Sequence, residues 1–254
     1  MFLVELCGYY HDRGLKTLYE LLVIYMNSML RVDFHCHTIY SKDSLTHPET
    51  LLDTCRIKRI DRLVITDHNT IEGALAAYRL DPELVIIGEE IMTTRGEILG
   101  MFVTEVIPPG LSPQETIYRL RDQGAFISIS HPFDIFRKGS WPLNDLVEIS
   151  PLVDAIETFN ARCYSPVFNR QAQEFAREHY LPGTVGSDAH AAFELGQAAL
   201  FLPPFMDAVG LRAVLPDASS QLHWSPPWVH LISRYAAIRK KLSRKDGGIL
   251  DIKK

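Results

Sequence analysis

Residues 31–37 read RVDFHCH, a short apolar run that ends in two histidines spaced two residues apart. The same arrangement, an apolar run that ends in acids or histidines, recurs in LVITDH, LVIIGEE, FISISHP and TVGSDAH. Longer segments with helical periodicity separate these runs, and several of them begin with proline, which is favourable in the first turn of a helix. Near-continuous apolar strands that alternate with helices predict a parallel sheet buried on both faces.

The number of strand and helix units distinguishes between two α/β architectures. About seven units favour closure of the sheet into a barrel over an open, doubly wound sheet. No G-x-G-x-x-G sequence follows any of the runs, so the dinucleotide-binding version of the open sheet loses its main sign. The sequence therefore predicts one α/β barrel without a linker that would divide it.

Side chains that can bind metals or transfer protons recur at the same position in this alternation of strands and helices. They occur at or just after the carboxyl end of each predicted strand, which is the edge where active sites form in parallel barrels. These residues are His35 and His37, Asp67 and His68, Glu89 and Glu90, His131, and Asp188 and His190. Five of the ten histidines therefore recur at one edge in the company of carboxylates.

The residue types at this edge suit divalent metals. In an extended segment residues i and i+2 point to the same face, so His35 and His37 can aim at one ion. Imidazoles and carboxylates without thiolates select Zn²⁺, Mn²⁺ or Fe, and Asp67 is a candidate for orienting a ligand histidine. The candidates are too many for one ion, so we expect two or three ions with Glu90 as a bridging carboxylate. Ions arranged in this way activate water and neutralise phosphoryl charge, which points to hydrolysis of a phosphate ester.

Composition and charge exclude several classes of protein. The chain has 254 residues, of which 46% are hydrophobic, so it is neither disordered nor a disulfide-stabilised miniprotein. Its net charge of −5 does not indicate a nucleic-acid or membrane binder, although residues 239–254 carry seven basic side chains against two acidic ones. The four cysteines form no CxxC pair, which favours a reduced, cytoplasmic environment.

Both ends of the chain extend beyond the predicted barrel. Residues 18–30 are apolar but interrupted by Glu20 and Asn27, and they are too few to span a bilayer. We expect an amphipathic helix there, and Met29, directly before the first strand, is an alternative start of translation. The predicted parts are an N-terminal helical extension (1–28), the barrel domain (29–222) and a C-terminal helix with a basic tail (223–254).

Six motifs together resemble the PHP family, the polymerase and histidinol phosphatase domain. They are DFHCHTIYSKDSL (33–45), ITDHNTIEGALAA (65–77), IGEEI (87–91), SHPFD (130–134), IETFNAR (156–162) and GSDAH (186–190). The resemblance implies a distorted seven-stranded (β/α)7 barrel of the TIM type. The expected fold class is therefore α/β, with helical extensions at both ends.

The resemblance also implies a set of metal ligands. They are His35, His37, Asp43, His68, Glu90, His131, Asp188 and His190. Asp43 belongs to this set if YSKDSL is the longer version of the family's tyrosine-serine-aspartate loop. Family members often carry a further histidine between the GxE and HP motifs, whereas this segment reads TTRGEILGMFV and has Glu97 at the nearest position. Glu97 is thus a further candidate ligand, and a carboxylate there favours Mn²⁺ relative to Zn²⁺.

The function implied by the resemblance is that of a metal-dependent phosphoesterase. A metal-bound water would attack phosphorus, and His190 is a candidate acid for the leaving group. The expected substrate is a small phosphomonoester or a nucleotide, with short nucleic acids as a further partner and no membrane contact. Arg162 and Lys42 are the candidates for holding the substrate phosphate.

Two other functions stay open on the sequence. Metal-activated water can also attack a carbonyl, so a metal-dependent amidohydrolase is one alternative. The other is a non-catalytic RNA-protein assembly barrel, because the fold resembles the barrel subunit of ribonuclease P. That alternative predicts that metal ligands have been replaced by other residues, whereas at least seven of the implied ligand residues are present here.

Overall fold

The computed structural model of the protein describes residues 29–245, so the helical extension expected at residues 1–28 lies outside the described part and stays a prediction. The strands are β1 (Leu30–Cys36), β2 (Arg62–Ile65), β3 (Val85–Met92), β4 (Glu97–Met101), β5 (Phe126–Ile129), β6 (Ala155–Asn160), β7 (Gly183–Gly186), β8 (Ala198–Leu202) and β9 (Ser219–Leu222). The α-helices are α1 (Pro48–Lys58), α2 (Glu72–Leu80), α3 (Pro113–Asp122), α4 (Leu143–Ile149), α5 (Pro166–Glu178), α6 (Ala208–Val214) and α7 (Val229–Lys245).

The described strands form one mixed sheet in the order β7-β6-β5-β4-β3-β2-β1-β8-β9. β1, β2 and β3 are parallel to one another, as are β5, β6 and β7, whereas β4 runs antiparallel to both of its neighbours. The sheet curls until the end of β1 meets the segment after β7. There the amide of Asp188 donates to the carbonyl of His35 (2.7 Å), and the amide of His37 donates to the carbonyl of Ala189 (2.8 Å). The result is a nearly closed, barrel-like α/β fold.

Two features of this sheet correct the expectation of a seven-stranded parallel barrel. First, the described chain contains nine strands, because β8 and β9 continue the sheet beyond β1 as antiparallel neighbours. Second, the sheet is mixed, because β3 continues to Met92 and a short turn then reverses the chain into β4. A hairpin of this kind requires no crossover helix, and an apolar run does not reveal the direction of its strand.

The helices begin and pack as their sequences dictate. α3 and α5 each start at a serine followed by proline, and the side chain of Ser112 accepts a hydrogen bond from the amide of Glu115. These helices bury apolar positions such as Leu120 and Phe175 against sheet side chains such as Ile127 and Ile156. Phe34, Leu99 and Phe126 belong to a separate buried cluster. The helices of the described region include none long and apolar enough to cross a membrane.

Helix α7 packs against the edge where the candidate ligands lie. The guanidinium of Arg162 donates to the hydroxyl of Ser233 (2.9 Å) and to the carbonyl of Val229 (3.2 Å), both in α7. Further along the helix, the ammonium of Lys240 donates to the carbonyls of Ile39 and Ser41 in the loop after β1. The C-terminal helix is therefore fastened to the barrel at both of its ends.

Candidate metal centre

The eight ligands implied by the sequence, together with Glu97, converge at one edge of the barrel. β1 supplies His35 and leads directly to His37, β3 supplies Glu90, and β4 begins with Glu97. The remaining members follow the ends of strands or lie in the loop after β1: Asp43, His68, His131, Asp188 and His190. All but Asp43 and His68 are buried, so the cluster is largely shielded from solvent.

Left-handed backbone conformations shape two of the ligand-bearing turns. Asn69, next to His68, has φ 55°, and Asp188 has φ 51°. Asparagine and aspartate adopt this conformation more readily than other side-chain-bearing residues. At Asp188 the turn directs the backbone amide to the carbonyl of His35. At the other turn the amide of Asn69 donates to the carbonyl of Glu90 (2.9 Å), so the backbone holds each turn against a strand that carries another candidate ligand.

A first group of candidate ligand atoms gathers around His35, in β1, and His37, directly after it. Nε2 of His35 lies 3.1 Å from Nε2 of His37 and 3.5 Å from Oε1 of Glu90. Nε2 of His37 lies 3.5 Å from Oε2 of Glu90 and 3.2 Å from Oδ1 of Asp188. Two imidazole nitrogens and two carboxylates therefore face a common centre.

A second group shares Glu90 with the first. Oε2 of Glu90 lies 2.9 Å from Nδ1 of His68, and Oε1 lies 3.1 Å from Nε2 of His131. Glu97 completes this group, with its two carboxylate oxygens 3.7 Å from Nδ1 of His68 and 3.4 Å from Nε2 of His131. Glu97 thus lies where a further ligand from β4 would be needed.

A third group lies nearer to solvent. Oδ2 of Asp43 is 3.5 Å from Nε2 of His68 and 3.4 Å from Nε2 of His190. The ring of His190 also approaches that of His37, with the two centroids 4.3 Å apart. The structure therefore brings Asp43 to the same cluster as the histidines.

The hydrogen bonds of the outer imidazole nitrogens fix which nitrogens are free to bind a cation. Nδ1 of His35 lies 3.0 Å from a carboxylate oxygen of Glu157, and Nδ1 of His190 lies 2.8 Å from the carbonyl of Asp188. Both partners accept hydrogen bonds, so in the neutral rings the proton resides on Nδ1 and Nε2 presents a lone pair. This is the arrangement that metal-binding histidines use.

The same cluster contains buried acceptors without hydrogen-bond partners. They include Oδ1 of Asp43, Oε2 of Glu90 and Oδ1 of Asp188. Buried acceptors that face other lone pairs are costly unless a cation lies between them. The donor set of imidazoles and carboxylates, with no thiolate, therefore fits divalent ions such as Zn²⁺, Mn²⁺ or Fe²⁺.

The electrostatics of the site favour the deprotonated, metal-binding form at only some of its members. Burial alone would lower the pKa values of His35 and His68, but the charge of Glu90 and of other nearby carboxylates raises both. Burial, followed by the neighbouring His190 and His68, lowers the pKa of His37 to about 3. Burial alone would raise the pKa of Glu90, but the imidazoles of His35 and His68 hold it well below its usual range. By contrast, burial and the charge of Glu90 raise the pKa of Glu97. A cation between these carboxylates would relieve that repulsion.

Glu157, in β6, is a site residue for which sequence reasoning found no role. One oxygen contacts Nδ1 of His35, and the other accepts hydrogen bonds from the amide of His131 (2.8 Å) and from the side-chain amide of Asn160 (3.1 Å). Glu157 therefore links the candidate ligands of β1 and β5. Its signal was an acid that directly follows the apolar residues Ala155 and Ile156 of a predicted strand, and its side chain is buried.

Asp67 is linked to the candidate ligand His37 through an intervening hydroxyl group. Its carboxylate accepts hydrogen bonds from the hydroxyls of Thr38 (2.6 Å) and Ser41 (2.7 Å). Because the Ser41 hydroxyl donates to Asp67, its oxygen is free to accept from Nδ1 of His37, 3.0 Å away. The orienting contact expected of Asp67 is therefore made through Ser41.

The two residues expected to hold phosphate differ in how free their donors are. Arg162 is buried, and its guanidinium is occupied by α7 and by Glu194, 3.5 Å away. Lys42 lines a cavity of about 220 Å³ that opens beside the candidate ligands. Arg137 lines the same cavity, and one of its guanidinium nitrogens donates to Asp188 at 2.5 Å.

A second, larger cavity lies at the opposite edge of the sheet. Its volume is about 1170 Å³, and it is lined by residues at the starts of strands, among them Leu30, Arg62 and Val85. None of the described candidate ligands borders it. The candidate ligands Asp43, His68, Glu97 and His190 instead line the smaller cavity.

A nearly closed α/β barrel with imidazoles and carboxylates clustered at the carboxyl ends of its strands defines the class of metal-dependent hydrolases. The chain belongs to the PHP family within that class. The model of the PHP domain matches residues 33–108, and the model described as PHP-associated matches residues 166–209. The resemblance inferred from the six motifs is therefore confirmed.

Relatives of known sequence come from Methanocaldococcus jannaschii. Its protein MJ0417 is 38% identical over 172 residues, which cover 66% of this chain and 69% of that protein. A second protein of that organism, MJ1587, is 40% identical over 145 residues, which cover 52% of this chain and 82% of that protein.

Solved structures share the fold at low sequence identity. A candidate metal-dependent phosphoesterase from Bifidobacterium adolescentis has a TM-score of 0.55 and 18% identity, covering 73% of this chain and 95% of that one. PsfC from Pseudomonas syringae has a TM-score of 0.60 and 17% identity, covering 85% and 99%. An amidohydrolase from Chromobacterium violaceum has a TM-score of 0.51 and 15% identity, covering 63% and 87%. These likenesses support the fold.

Proposed function

We propose that the protein is a metal-dependent phosphoesterase that hydrolyses a small phosphate ester at a centre of two or three divalent ions. The observation that carries this proposal is the convergence of buried imidazole and carboxylate lone pairs around Glu90, which is shared by two groups of candidate ligands. One ion would leave part of this set without a partner, because a site for a single ion takes only about four protein ligands.

The three groups of ligand atoms suggest how the ions would be held. His35, His37, Glu90 and Asp188 would hold one ion, and His68 or His131 with Glu90 and Glu97 would hold a second. Asp43 and His190, with His68 where its Nε2 is used, would hold a third. When bound, such ions supply an activated water and neutralise the charge of the phosphoryl group.

The remaining residues of the cavity would bind and orient the substrate. Lys42 and Arg137 line the cavity and can hold phosphate oxygens, Arg137 through a planar guanidinium suited to paired hydrogen bonds. Arg162 also lines the cavity, but the guanidinium groups of both arginines already have partners, in α7 for Arg162 and at Asp134 and Asp188 for Arg137. The exposed Lys42 is therefore the phosphate-binding candidate that is least constrained.

The hydrogen bonding of His190 favours a ligand role over that of the leaving-group acid. Its Nδ1 proton is directed to the carbonyl of Asp188, and its Nε2 faces the carboxylate of Asp43. A nitrogen that binds a metal carries no proton to donate. The leaving group would then take its proton from water in the open part of the cavity.

Phosphate release under defined metal conditions tests this function. The purified protein is stripped with a chelator, reloaded with Mn²⁺ or Zn²⁺, and assayed on a panel of phosphomonoesters and on simple amides. We expect metal-dependent phosphate release, and we expect the double variant His35→Ala, His37→Ala to lose it while keeping its circular dichroism spectrum. Hydrolysis of amides alone would favour the amidohydrolase alternative, and no turnover with bound metal would contradict both.

A further inference from the structure

Two large aromatic side chains stand exposed at the candidate site. Phe136 is 69% exposed and Tyr164 is 52% exposed, and both line the same cavity as Asp43 and His190. Single exposed aromatic side chains are common on protein surfaces. Adjacent ones at the mouth of a charged cavity instead indicate a surface on which a ligand can pack. Neither ring takes part in the metal centre or in the hydrophobic core.

The two rings belong to a supported aromatic cluster. Phe136 packs edge to face against Tyr164, with centroids 5.5 Å apart, and against Phe168, with centroids 6.0 Å apart. Tyr164 in turn stacks on His230 of α7, with centroids 4.0 Å apart and planes only 8° from parallel. We call Phe136 and Tyr164 the aromatic wall. Because neighbouring rings fix the wall in place, a ligand would lose little free energy in ordering it.

Burial keeps the inner member of this stack uncharged. His230 is half-buried, and burial followed by the nearby Arg162 and Arg137 lowers its pKa to about 4. At neutral pH the imidazole is therefore a neutral ring that supports Tyr164 from behind. The positive charge of the cavity lining comes from its lysines and arginines, which are Lys42, Arg137, Lys138 and Arg162.

The cavity thus offers two different surfaces to one ligand. Cations and metal ligands lie within it, and flat apolar rings lie at its mouth. Its volume of about 220 Å³ is below the roughly 300 Å³ typical of sites that enclose a whole small molecule, so a ligand larger than a phosphate group would extend from it over the exposed rings.

We propose that the substrate is a nucleoside monophosphate, whose phosphate enters the cavity while its base stacks on the aromatic wall. This inference rests on the proposed phosphoesterase function and names its substrate class. Every base has a flat π face, so stacking of this kind binds nucleotides with little preference among the bases. A phosphate ester without an aromatic base would contact the charged residues of the cavity but would not stack on the aromatic wall.

The test compares AMP with ribose 5-phosphate, which lacks the base. The variants are Phe136→Leu and Tyr164→Leu, which keep apolar bulk but remove the ring, and Tyr118→Leu is the matched control. Tyr118 is 67% exposed on α3 and does not line the cavity. The readout is the ratio of kcat/KM for AMP to kcat/KM for ribose 5-phosphate, measured with the same metal.

We expect the unmodified protein to prefer AMP, and each wall variant to raise the KM for AMP by on the order of tenfold, since stacking on one ring contributes that much to binding. The Tyr118→Leu control should keep the ratio. Equal kcat/KM values for the two substrates in the unmodified protein would overturn the proposal, as would wall variants that keep the preference. A wall that instead binds a protein partner predicts that second outcome.

A binding measurement separates this proposal from the function on which it rests. Calorimetry with the phosphonate analogue of AMP, which cannot be hydrolysed, reports the wall without turnover. Tighter binding of this analogue than of ribose 5-phosphate, lost in Phe136→Leu, would support the wall even if no ester were cleaved. If the protein releases phosphate from ribose 5-phosphate but binds the AMP analogue no more tightly, the phosphoesterase function would stand and base stacking on the aromatic wall would be rejected.

Discussion

Glu90 illustrates how much of the site depends on single residues. Its carboxylate lies within 3.5 Å of imidazole nitrogens from His35, His37, His68 and His131. It also accepts a hydrogen bond from the hydroxyl of Ser130 (2.8 Å). Under the proposed function, a carboxylate with four imidazole neighbours could be shared between two ions. The neighbouring Glu89 points elsewhere, accepts a hydrogen bond from the amide of Ile107, and has its pKa raised to about 7 by burial.

Glu157 provides a test of the positioning contacts behind the ligands. We predict that Glu157→Gln weakens Mn²⁺ binding by about 10- to 100-fold, because an amide holds the Nδ1 proton of His35 less strongly than a carboxylate does. Isothermal titration calorimetry of the metal-free protein with Mn²⁺ measures this change in affinity. The matched control is Glu148→Gln, which alters an exposed acid of α4 bonded only to Gln114. Equal losses in both variants would contradict a positioning role for Glu157.

Glu97 provides a test of metal preference. It lies where family members often carry a histidine, beside His68 and His131. We predict that Glu97→His increases the affinity for Zn²⁺ relative to Mn²⁺, because imidazole is a softer ligand than carboxylate. Competition between the two ions, read as bound metal after desalting, gives the ratio. An unchanged ratio would place Glu97 outside the metal centre.

At the scale of elements, the sequence predicted the strands better than their arrangement. The apolar runs before DH, GEE, HP and SDAH all form strands whose ends carry the expected side chains. β9 and α4 were missed, because the residues of β9 (SSQL) are polar and mostly exposed, and α4 is short. The antiparallel direction of β4 was also missed, since strand direction is set by the connection and by long-range pairing. Contacts such as those of Glu157 depend on tertiary packing and have no periodic signal.

Asp154 joins three elements at the other side of the barrel. Its carboxylate accepts hydrogen bonds from Arg121 of α3 (2.8 Å), from the amide of Ile127 in β5 (2.9 Å) and from Arg212 of α6 (3.0 Å). Burial would raise its pKa, but these donors, Arg212 foremost, lower it below the usual value. The charged carboxylate is therefore the form that stabilises the folded state.

We predict that Asp154→Asn lowers the free energy of unfolding by about 1.5–3 kcal/mol at pH 7, the range for hydrogen bonds to charged groups. Because the folded-state pKa is depressed, this contribution is complete above the unfolded pKa of about 4 and is lost as the pH falls through the lower folded value. Urea unfolding between pH 3 and pH 7 measures the difference. The control Asp122→Asn, at an exposed position, should show no such pH dependence, and a constant difference for Asp154→Asn would refute the account.

At the scale of the whole molecule, the curled sheet and helix α7 together shape the candidate site. The near closure of the sheet brings the ends of β1 and β7 together, which adds Asp188 and His190 to the ligands of β1 and β3. Helix α7 then covers one side of the cavity and contributes His230 and Ser233 to its lining. The sequence predicted the barrel and its ligand edge, whereas the aromatic wall required the fold, because Phe136, Tyr164 and His230 are distant in the chain.

The metal content of the intact protein tests the central claim most directly. The protein is stripped with a chelator, loaded with Mn²⁺, freed of excess metal, and measured by inductively coupled plasma mass spectrometry against protein concentration. The shared position of Glu90 predicts two or three equivalents of metal for each chain. Less than one equivalent after loading would contradict the account.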